Sequence, residues 1–163
     1  MEISNTILIQ FLSVLLSGLV AGLFFGWQVS VIPGNKLVTN DSYLETMQKI
    51  NREILNPLFY LVFIGSVPVL IINTVYQYLQ SSATSFWISV AAAIIHLVGV
   101  FMVTGLGNVP MNNKLDKQNL APMSEHDLAK FRLWYESKWN SFHTIRTVSS
   151  ILAFALLVVT SFI

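Results

Sequence analysis

Polar side chains recur along one side of the last apolar segment of the chain. Asn140, His143, Thr144 and Thr147 lie three, four and seven residues apart, and Arg146 stands beside them. Residues at these intervals share one face of an α-helix. A histidine can take a proton from an acidic carbon or a phenol, and a guanidinium can stabilise the resulting enolate or phenolate. This spacing makes His143 and Arg146 the candidate catalytic residues.

A structural role would explain the same residues. An arginine near the end of a membrane helix can extend its side chain to the surface, and a histidine can hydrogen-bond to a neighbouring helix. His96 stands alone in an alanine-rich apolar segment, which is typical of such a bond. His96 and His143 fall at different depths, so we do not expect them to share a metal or haem. Both readings of His143 and Arg146 stay open here.

Four apolar segments must position these residues: 3–31, 57–79, 84–105 and 141–163. Apolar residues make up 54% of the chain and charged residues 10%, and cysteine is absent, which excludes thiolate chemistry. A helix of about twenty apolar residues crosses the ~30 Å hydrocarbon core of a bilayer. We predict an all-α, membrane-embedded four-helix bundle in which residues 1–163 form one domain.

The basic residues indicate how this bundle is oriented. Cytoplasmic connections of membrane proteins are rich in lysine and arginine. We therefore expect an integral protein of the bacterial inner (plasma) membrane, with the first and third connections in the cytoplasm and both termini extracytoplasmic. The start MEISNT lacks the basic residues of a signal peptide, so the first segment is expected to be retained. Apart from Arg146, the basic residues are Lys36, Lys49, Arg52, Lys114, Lys117, Lys130, Arg132 and Lys138.

Two amphipathic helices are predicted on the cytoplasmic side of the bundle. Residues 43–55 repeat apolar side chains every three or four positions, after Asp41 and Ser42 as a plausible cap. Residues 125–140 are dense in aromatic side chains and follow Ser124, which is a typical first cap residue. Both helices should lie along the membrane surface or cover the end of the bundle.

Proline and glycine mark the expected ends and bends of the spans. Pro33 and Gly34 should end the first span, Pro68 should kink the second, and residues 107–115 should form a loop after the third. Glycines at intervals of four in the first span provide either a face for close helix packing or room for a flat ligand. These glycines are Gly18, Gly22 and Gly26.

Several short motifs occur in order along the chain. WQVSVIP at 27–33 follows the glycine-rich first span, and MQKINR at 47–52 precedes Asn56-Pro57. GNVPMNNKL occupies 107–115, and Trp139-Asn140 comes shortly before Arg146-Thr147. Over most of the chain these motifs resemble the anthrone oxygenase-like family of integral membrane proteins, which includes many domains of unknown function.

The resemblance implies a reaction in which an anthrone is oxidised to an anthraquinone. It implies deprotonation of an electron-rich aromatic substrate whose carbanion itself reacts with dioxygen, so that no metal and no flavin is expected as a cofactor. His143 is proposed from its position and not from a family motif. The residues that match the family pattern are Asn108, Pro110, Asn112, Asn140 and Arg146.

Substrate contacts are predicted on the first, third and fourth spans. Gln28 falls at the depth of His143, and tryptophans can form either an aromatic belt or a wall that stacks on substrate. Asn108 and Asn112 can equally cap the end of the third span. The predicted substrate-binding residues are Trp27, Gln28, Asn108, Asn112, Trp139 and Asn140. The expected partners are membrane lipids and a hydrophobic aromatic small molecule, with a homo-oligomer left open and no nucleic acid.

Two other functions compete with the oxygenase. The first is a non-enzymatic accessory protein that binds a lipid or a partner protein and uses its polar stripe only to hold helices together. A cavity of about 300 Å³ or more beside Trp27, His143 and Arg146 would favour the enzyme, and a tightly filled bundle would favour the accessory protein. The second is transport of a small molecule, which requires a polar path through both leaflets. The interior of the second and third spans offers mainly Asn73 and His96 for such a path.

Overall fold

A computed structural model describes residues 5–163, which form helices and no strand. Four helices are long and apolar enough to cross a membrane: α1 (Asn5–Asn35), α3 (Pro57–Gln80), α4 (Ala83–Asp116) and α5 (Glu125–Val159). A shorter helix, α2 (Asn40–Glu53), follows α1. Helices α1 and α4 each pack against both α3 and α5, so the four form a closed ring. The prediction of an all-α membrane-embedded four-helix bundle is confirmed, and the chain is an integral membrane protein.

Helices α1 and α4 both continue past the points where the sequence predicted their ends. In each, a π-helical turn precedes the proline: Trp27–Val31 before Pro33, and Thr104–Asn108 before Pro110. The wider turn lets the N–H of Ile32 bond to the carbonyl of Trp27, and the proline, which has no N–H, follows directly. The predicted loop at 107–115 is therefore helical, and Asn108 lies inside α4 and does not cap it. Residues 3 and 4 of the predicted first span lie outside the described residues.

Helix α3 is interrupted near Pro68, where the sequence predicted a kink. Its helical pattern is interrupted at Ile64 and Gly65, one turn before the proline. The ring of a proline clashes with the carbonyl of the residue four positions earlier, here Ile64. Asn56 caps the start of α3 by accepting a hydrogen bond from the backbone N–H of Phe59 at 3.0 Å.

The two predicted amphipathic helices differ from expectation in detail. Helix α2 is capped by Thr39, whose hydroxyl accepts from the N–H of Ser42 at 3.4 Å, and not by Asp41 and Ser42 themselves. Ser124 caps α5 as predicted. The predicted helix 125–140 and the fourth span are one continuous helix, because no proline or glycine occurs between Glu125 and Val159. Residues 160–163 lie beyond its end.

Buried apolar side chains of the described residues form three clusters that join the helices. Near the first and third connections, Tyr43, Leu44 and Met47 of α2 pack against Leu115 of α4 and Tyr135 of α5. This packing holds α2 across the end of the bundle. Deeper in the bundle, a second cluster joins α1, α3 and α4; it consists of Val20, Phe24, Phe63 and Val100.

Close helix packing uses glycines that the sequence did not single out. A Cβ built on Gly107 would lie 2.7 Å from the Phe142 ring, and one on Gly99 would overlap Ser149, so both glycines let α4 approach α5. In α1, only Gly18 touches a neighbour, since a Cβ there would lie 3.0 Å from Phe154. Nothing lies within 4 Å of a Cβ on Gly22 or Gly26. The predicted packing face of α1 is therefore confined to its first glycine.

Candidate functional site

A cleft lies where the end of α2 meets the four long helices, at the end of the bundle that carries the basic connections. Helix α2 covers one side of the cleft, and α1, α4 and α5 form its other sides. Its walls combine apolar side chains with an arginine and three asparagines. The cleft is lined by Leu23, Phe24, Trp27, Ile50, Asn51, Ile54, Leu55, Phe59, Thr104, Asn108, Val109, Asn112, Trp139 and Arg146.

Arg146 is buried, with 8% of its surface exposed, and does not extend to the membrane surface. Its Nε and Nη2 atoms donate hydrogen bonds to Nδ1 of His143 at 3.1 and 2.9 Å. The guanidinium lies 4.4 Å above the ring of Phe24 and 5.1 Å from that of Trp139. The three ion pairs among residues 5–163 involve other side chains. Arg146 is thus a buried cation held by aromatic faces and an imidazole, with no carboxylate paired to it among the described residues.

His143 lies directly behind Arg146 and is fully buried. Its Nε2 is 3.1 Å from the carbonyl oxygen of Phe24. A carbonyl only accepts, so Nε2 carries the proton and Nδ1 has the lone pair that accepts from Arg146. The Trp139 ring stacks on the imidazole with centroids 5.0 Å apart and planes 8° apart. These contacts fix the tautomer and the ring plane of His143.

Asparagines and aromatic residues from three helices form a hydrogen-bonded group beside the cleft. Oδ1 of Asn112 accepts from the Tyr135 hydroxyl at 3.0 Å and from Nε1 of Trp139 at 2.8 Å. The same hydroxyl accepts from Nδ2 of Asn51 at 3.1 Å. This group links α2, α4 and α5 and holds Trp139 in place.

Asn108 leaves one polar atom unsatisfied next to the cleft. Its Nδ2 donates to the backbone carbonyl of Trp139 at 3.2 Å, while its buried Oδ1 has no donor among the described residues. Buried polar atoms normally have a hydrogen-bond partner. Asn108 therefore brings a buried acceptor without a donor to a cleft that also contains the Arg146 cation.

The predicted site residues do not all come together. Trp27, Asn108, Asn112, Trp139 and Arg146 line the cleft, and the rings of Trp27 and Trp139 are 5.5 Å apart. His143 lies behind Arg146. Two predicted residues lie elsewhere. Gln28 accepts a hydrogen bond from the Thr144 hydroxyl at 3.4 Å, and Asn140 lies in a small gap beside Tyr43 and Met47.

Sequence reasoning did not assign Asn51, Tyr135, Thr104, Ile54 or Phe59 to the site. Asn51 could have been found, because it lies four residues after Met47 and so shares the inward face of α2. Tyr135 belongs to an aromatic-rich stretch in which no pattern distinguishes one ring from the next. Among residues 5–163, no three histidine or acidic side chains are close enough together to hold a metal ion.

The cleft is smaller than the volume expected for a tricyclic ligand. It encloses about 80 Å³, against the ~300 Å³ at which typical ligand pockets begin. An apolar groove of about 340 Å³ adjoins it on the lipid-facing side. Leu23, Ile54 and Phe59 line both spaces and separate them.

Comparison with known proteins identifies the family. The family model described as anthrone oxygenase matches residues 58–156, which cover most of α3, all of α4 and nearly all of α5. Neither a curated protein nor a solved structure matches the chain. The matched segment is more than half of the 163 residues and contains Asn108, Asn112, Trp139, His143 and Arg146. The chain therefore belongs to the anthrone oxygenase family.

Proposed function

We propose that this protein is a membrane-embedded oxygenase that takes a hydrophobic aromatic ketone of the anthrone type into the Arg146 cleft. The enzyme removes a proton from the activated carbon of the substrate, and the resulting carbanion reacts with dioxygen. As the family resemblance implies, the reaction proceeds without a metal or a flavin. The flat apolar walls around Trp27 and Trp139 suit an aromatic ring, and the polar atoms suit its oxygens.

The unpaired charge of Arg146 carries this proposal. Buried charges in proteins are normally paired, and within a bilayer an unpaired cation is especially costly. Two of the five guanidinium N–H groups bond to His143, and the others find no acceptor among the described residues. An enolate or phenolate oxygen would provide both the missing charge and the missing acceptor. Such a site stabilises the anion that forms during deprotonation more than the neutral ketone.

The proposed reaction has four steps that balance. The ketone oxygen accepts hydrogen bonds from the guanidinium of Arg146. The guanidinium rotates away from His143, and this frees the lone pair on Nδ1. Nδ1 takes a proton from the methylene carbon, and the negative charge spreads onto the oxygen held by Arg146. The carbanion adds dioxygen to give a hydroperoxide, which recovers the proton. Loss of one water molecule then leaves a second carbonyl group, so one dioxygen is consumed and one water is released for each quinone.

Binding of a tricyclic substrate requires the cleft to open. Phe59 and Ile54 separate the cleft from the lipid-facing groove, so outward movement of these side chains would join the two spaces. The substrate would then enter sideways from the bilayer, where a hydrophobic ketone concentrates.

The accessory protein is the second candidate, and the small volume of the cleft favours it. On that reading Arg146 and His143 hold α1 and α5 together, and the cleft never admits a ring system. The two functions differ in whether an anthrone is consumed.

Dioxygen uptake by the purified protein in detergent, with an anthrone and after metal chelation, tests the proposal. Wild-type uptake should exceed spontaneous oxidation, and Arg146→Gln should reduce the enzymatic rate by about 10²-fold or more, as loss of an oxyanion donor does elsewhere. Arg52→Gln is the matched control, because Arg52 is exposed, pairs with Asp116 and does not line the cleft. Circular dichroism reports whether each variant is folded. Wild-type uptake equal to the spontaneous rate would remove the oxygenase assignment.

The variant His143→Gln distinguishes a role of His143 as the base from a role as a positioning residue. A glutamine oxygen can still accept from Arg146 but cannot act as a base at neutral pH. We expect uptake to be lost while anthrone binding, measured by quenching of tryptophan fluorescence, is retained. If uptake persists, His143 is a positioning residue and the proton goes to another acceptor.

A further inference from the structure

A second cavity, of about 570 Å³, lies on the outside of the molecule where α4 ends and α5 begins. We call it the lysine–tryptophan pocket. It is separate from the Arg146 cleft and shares no lining residue with it. Its walls include Lys114, Pro122, Met123, Lys130, Phe131 and Trp134.

Two lysines lie near the Trp134 ring: Lys114, which lines the pocket, and Lys138, which lies one helical turn beyond it on α5. The Lys114 ammonium lies 4.2 Å from the centre of the Trp134 ring, and the Lys138 ammonium lies 5.6 Å from it. The ion pairs among residues 5–163 do not involve either lysine or Lys130. The pocket also contains the carboxylate of Asp127, which accepts a hydrogen bond from the Ser124 hydroxyl at 2.6 Å. The lysines are thus free to bind an anion from outside the protein.

The pocket lies at the depth of lipid headgroups. Trp134 is 25 residues from Val159, the last residue of α5, which corresponds to about 37 Å along a helix. The hydrocarbon core is ~30 Å thick, and each headgroup layer adds roughly 5 to 7 Å. With Val159 placed at the opposite edge of the core, Trp134 falls in the layer where phosphate groups are found.

An apolar face of α5 runs from the pocket toward the middle of the bilayer. Ile145 and Leu152 lie seven and fourteen residues after Lys138, so all three share one side of the helix. Both apolar side chains are exposed on the outside of the bundle. An acyl chain could lie along this face while its headgroup remains near Lys138.

We propose that the lysine–tryptophan pocket is a binding site for an anionic phospholipid. The phosphate lies between the ammonium groups of Lys114 and Lys138, the glycerol packs on Trp134, and an acyl chain follows Ile145 and Leu152. A free phosphate would satisfy the lysines but would leave the apolar face unused, so the occupant is a lipid. This site does not depend on the proposed oxygenase activity.

Quenching of Trp134 fluorescence by lipids with brominated acyl chains tests the site. The protein is placed in phosphatidylcholine bilayers that contain the same minor fraction of either brominated phosphatidylglycerol or brominated phosphatidylcholine. The difference between wild type and Trp134→Phe isolates the signal of Trp134. We expect the anionic lipid to quench Trp134 severalfold more than the zwitterionic lipid does. Equal quenching by the two lipids would overturn the proposal.

Two double variants test which lysines produce the preference for the anionic lipid. Lys114→Gln/Lys138→Gln should abolish the preference for phosphatidylglycerol, whereas the matched control Lys36→Gln/Lys49→Gln, with exposed lysines elsewhere at the same end, should retain it. Excess inorganic phosphate should leave the preference in place. Persistence of the preference in the first variant, or its loss to inorganic phosphate, would contradict a phospholipid site at these lysines.

Discussion

Two asparagines, the half-buried Asn112 and the buried Asn73, differ in what their side-chain amides contact. Oδ1 of Asn112 accepts from Tyr135 and Trp139, both of which are almost fully buried. Asn73, in the middle of α3, is completely buried, and neither its Nδ2 nor its Oδ1 has a partner among the described residues. Asn112 therefore holds two side chains of the site by hydrogen bonds, whereas Asn73 is an unsatisfied amide inside the bundle.

Asn73→Leu should stabilise the protein. Replacing an unpaired buried polar group by an apolar one of similar size removes its desolvation penalty, worth about 1–3 kcal/mol. The free energy of unfolding in detergent, measured by denaturant titration, should rise by that order. A fall instead would show that the amide holds a water molecule or another ligand.

Asn112→Leu should have the opposite effect. It leaves the Tyr135 hydroxyl and the Trp139 indole N–H without their acceptor, and each buried donor costs about 1–3 kcal/mol when unpaired. The free energy of unfolding should fall, while Asn113→Leu, an exposed neighbour in the same helix, should change it little. Equal effects at the two positions would mean that the hydrogen bonds of Asn112 do not stabilise the fold.

The sequence indicated His143 and Arg146 because both lie on one helix, where spacing alone predicts which side chains are neighbours. It could not indicate that Nδ1 of His143 accepts from Arg146, since that depends on side-chain torsions. Asn51 reaches Tyr135 only because α2 folds back across the bundle, and no local pattern specifies this contact. Gln28 follows Trp27 directly, and adjacent residues on a helix point in different directions, so its side chain contacts Thr144 and does not line the cleft.

At the scale of the helix, the ends of α1 and α4 were predicted too early. Proline was taken as a stop signal, but a π-helical turn before Pro33 and Pro110 accommodates the missing N–H. Before Pro68 in α3, the N–H of Gly65 also bonds to the carbonyl five residues earlier, that of Tyr60, but here the helical pattern is interrupted at Ile64 and Gly65. Proline alone therefore does not predict whether a helix continues unbroken, is interrupted or ends.

The contact between α4 and α5 should be sensitive to a single methyl group. Gly99→Ala would place a Cβ 2.6 Å from the Cβ of Ser149, so one helix must move. Overpacking of this kind costs about 1–3 kcal/mol. Gly105→Ala in the same helix meets nothing within 4 Å and serves as the control. The midpoint of thermal unfolding should fall for the first variant only; an unchanged midpoint would mean that Ser149 moves without cost.

The boundary between the cleft and the lipid-facing groove should control substrate entry. Phe59→Ala removes a ring that lies between the two spaces. Substrate binding then no longer requires this ring to move outward. For anthrone-dependent dioxygen uptake we expect KM to fall severalfold with little change in kcat. Leu58→Ala is the control, because Leu58 lines the groove but not the cleft. A higher KM would indicate that Phe59 holds the substrate and does not obstruct it.

At the scale of the whole molecule, composition predicted the number of spans, because crossing a bilayer demands a minimum apolar length. It did not predict that α1 and α4 would each contact both α3 and α5, or that α2 would cover one end. Those arrangements depend on matching surfaces of distant segments, such as Gly99 against Ser149 and Met47 against the cluster around Tyr135.

The positions of the basic residues predict the orientation of the bundle. Eight of the nine lysines and arginines lie in the connections at the end that carries the cleft, the ninth is Arg146 in the cleft itself, and the link between α3 and α4 has none. Since basic segments are retained in the cytoplasm, we expect Ser81 to be extracytoplasmic and Lys117 to be cytoplasmic.

The chain contains no cysteine, so each introduced one is a unique label site. In right-side-out membrane vesicles, an impermeant maleimide should modify Ser81→Cys and not Lys117→Cys. Inverted vesicles should give the reverse pattern, and a permeant maleimide should label both variants in either preparation. Labelling of Lys117→Cys from the outside would show that the bundle has the opposite orientation. The cleft would then face the extracytoplasmic leaflet, and its substrate would have to be supplied from that side.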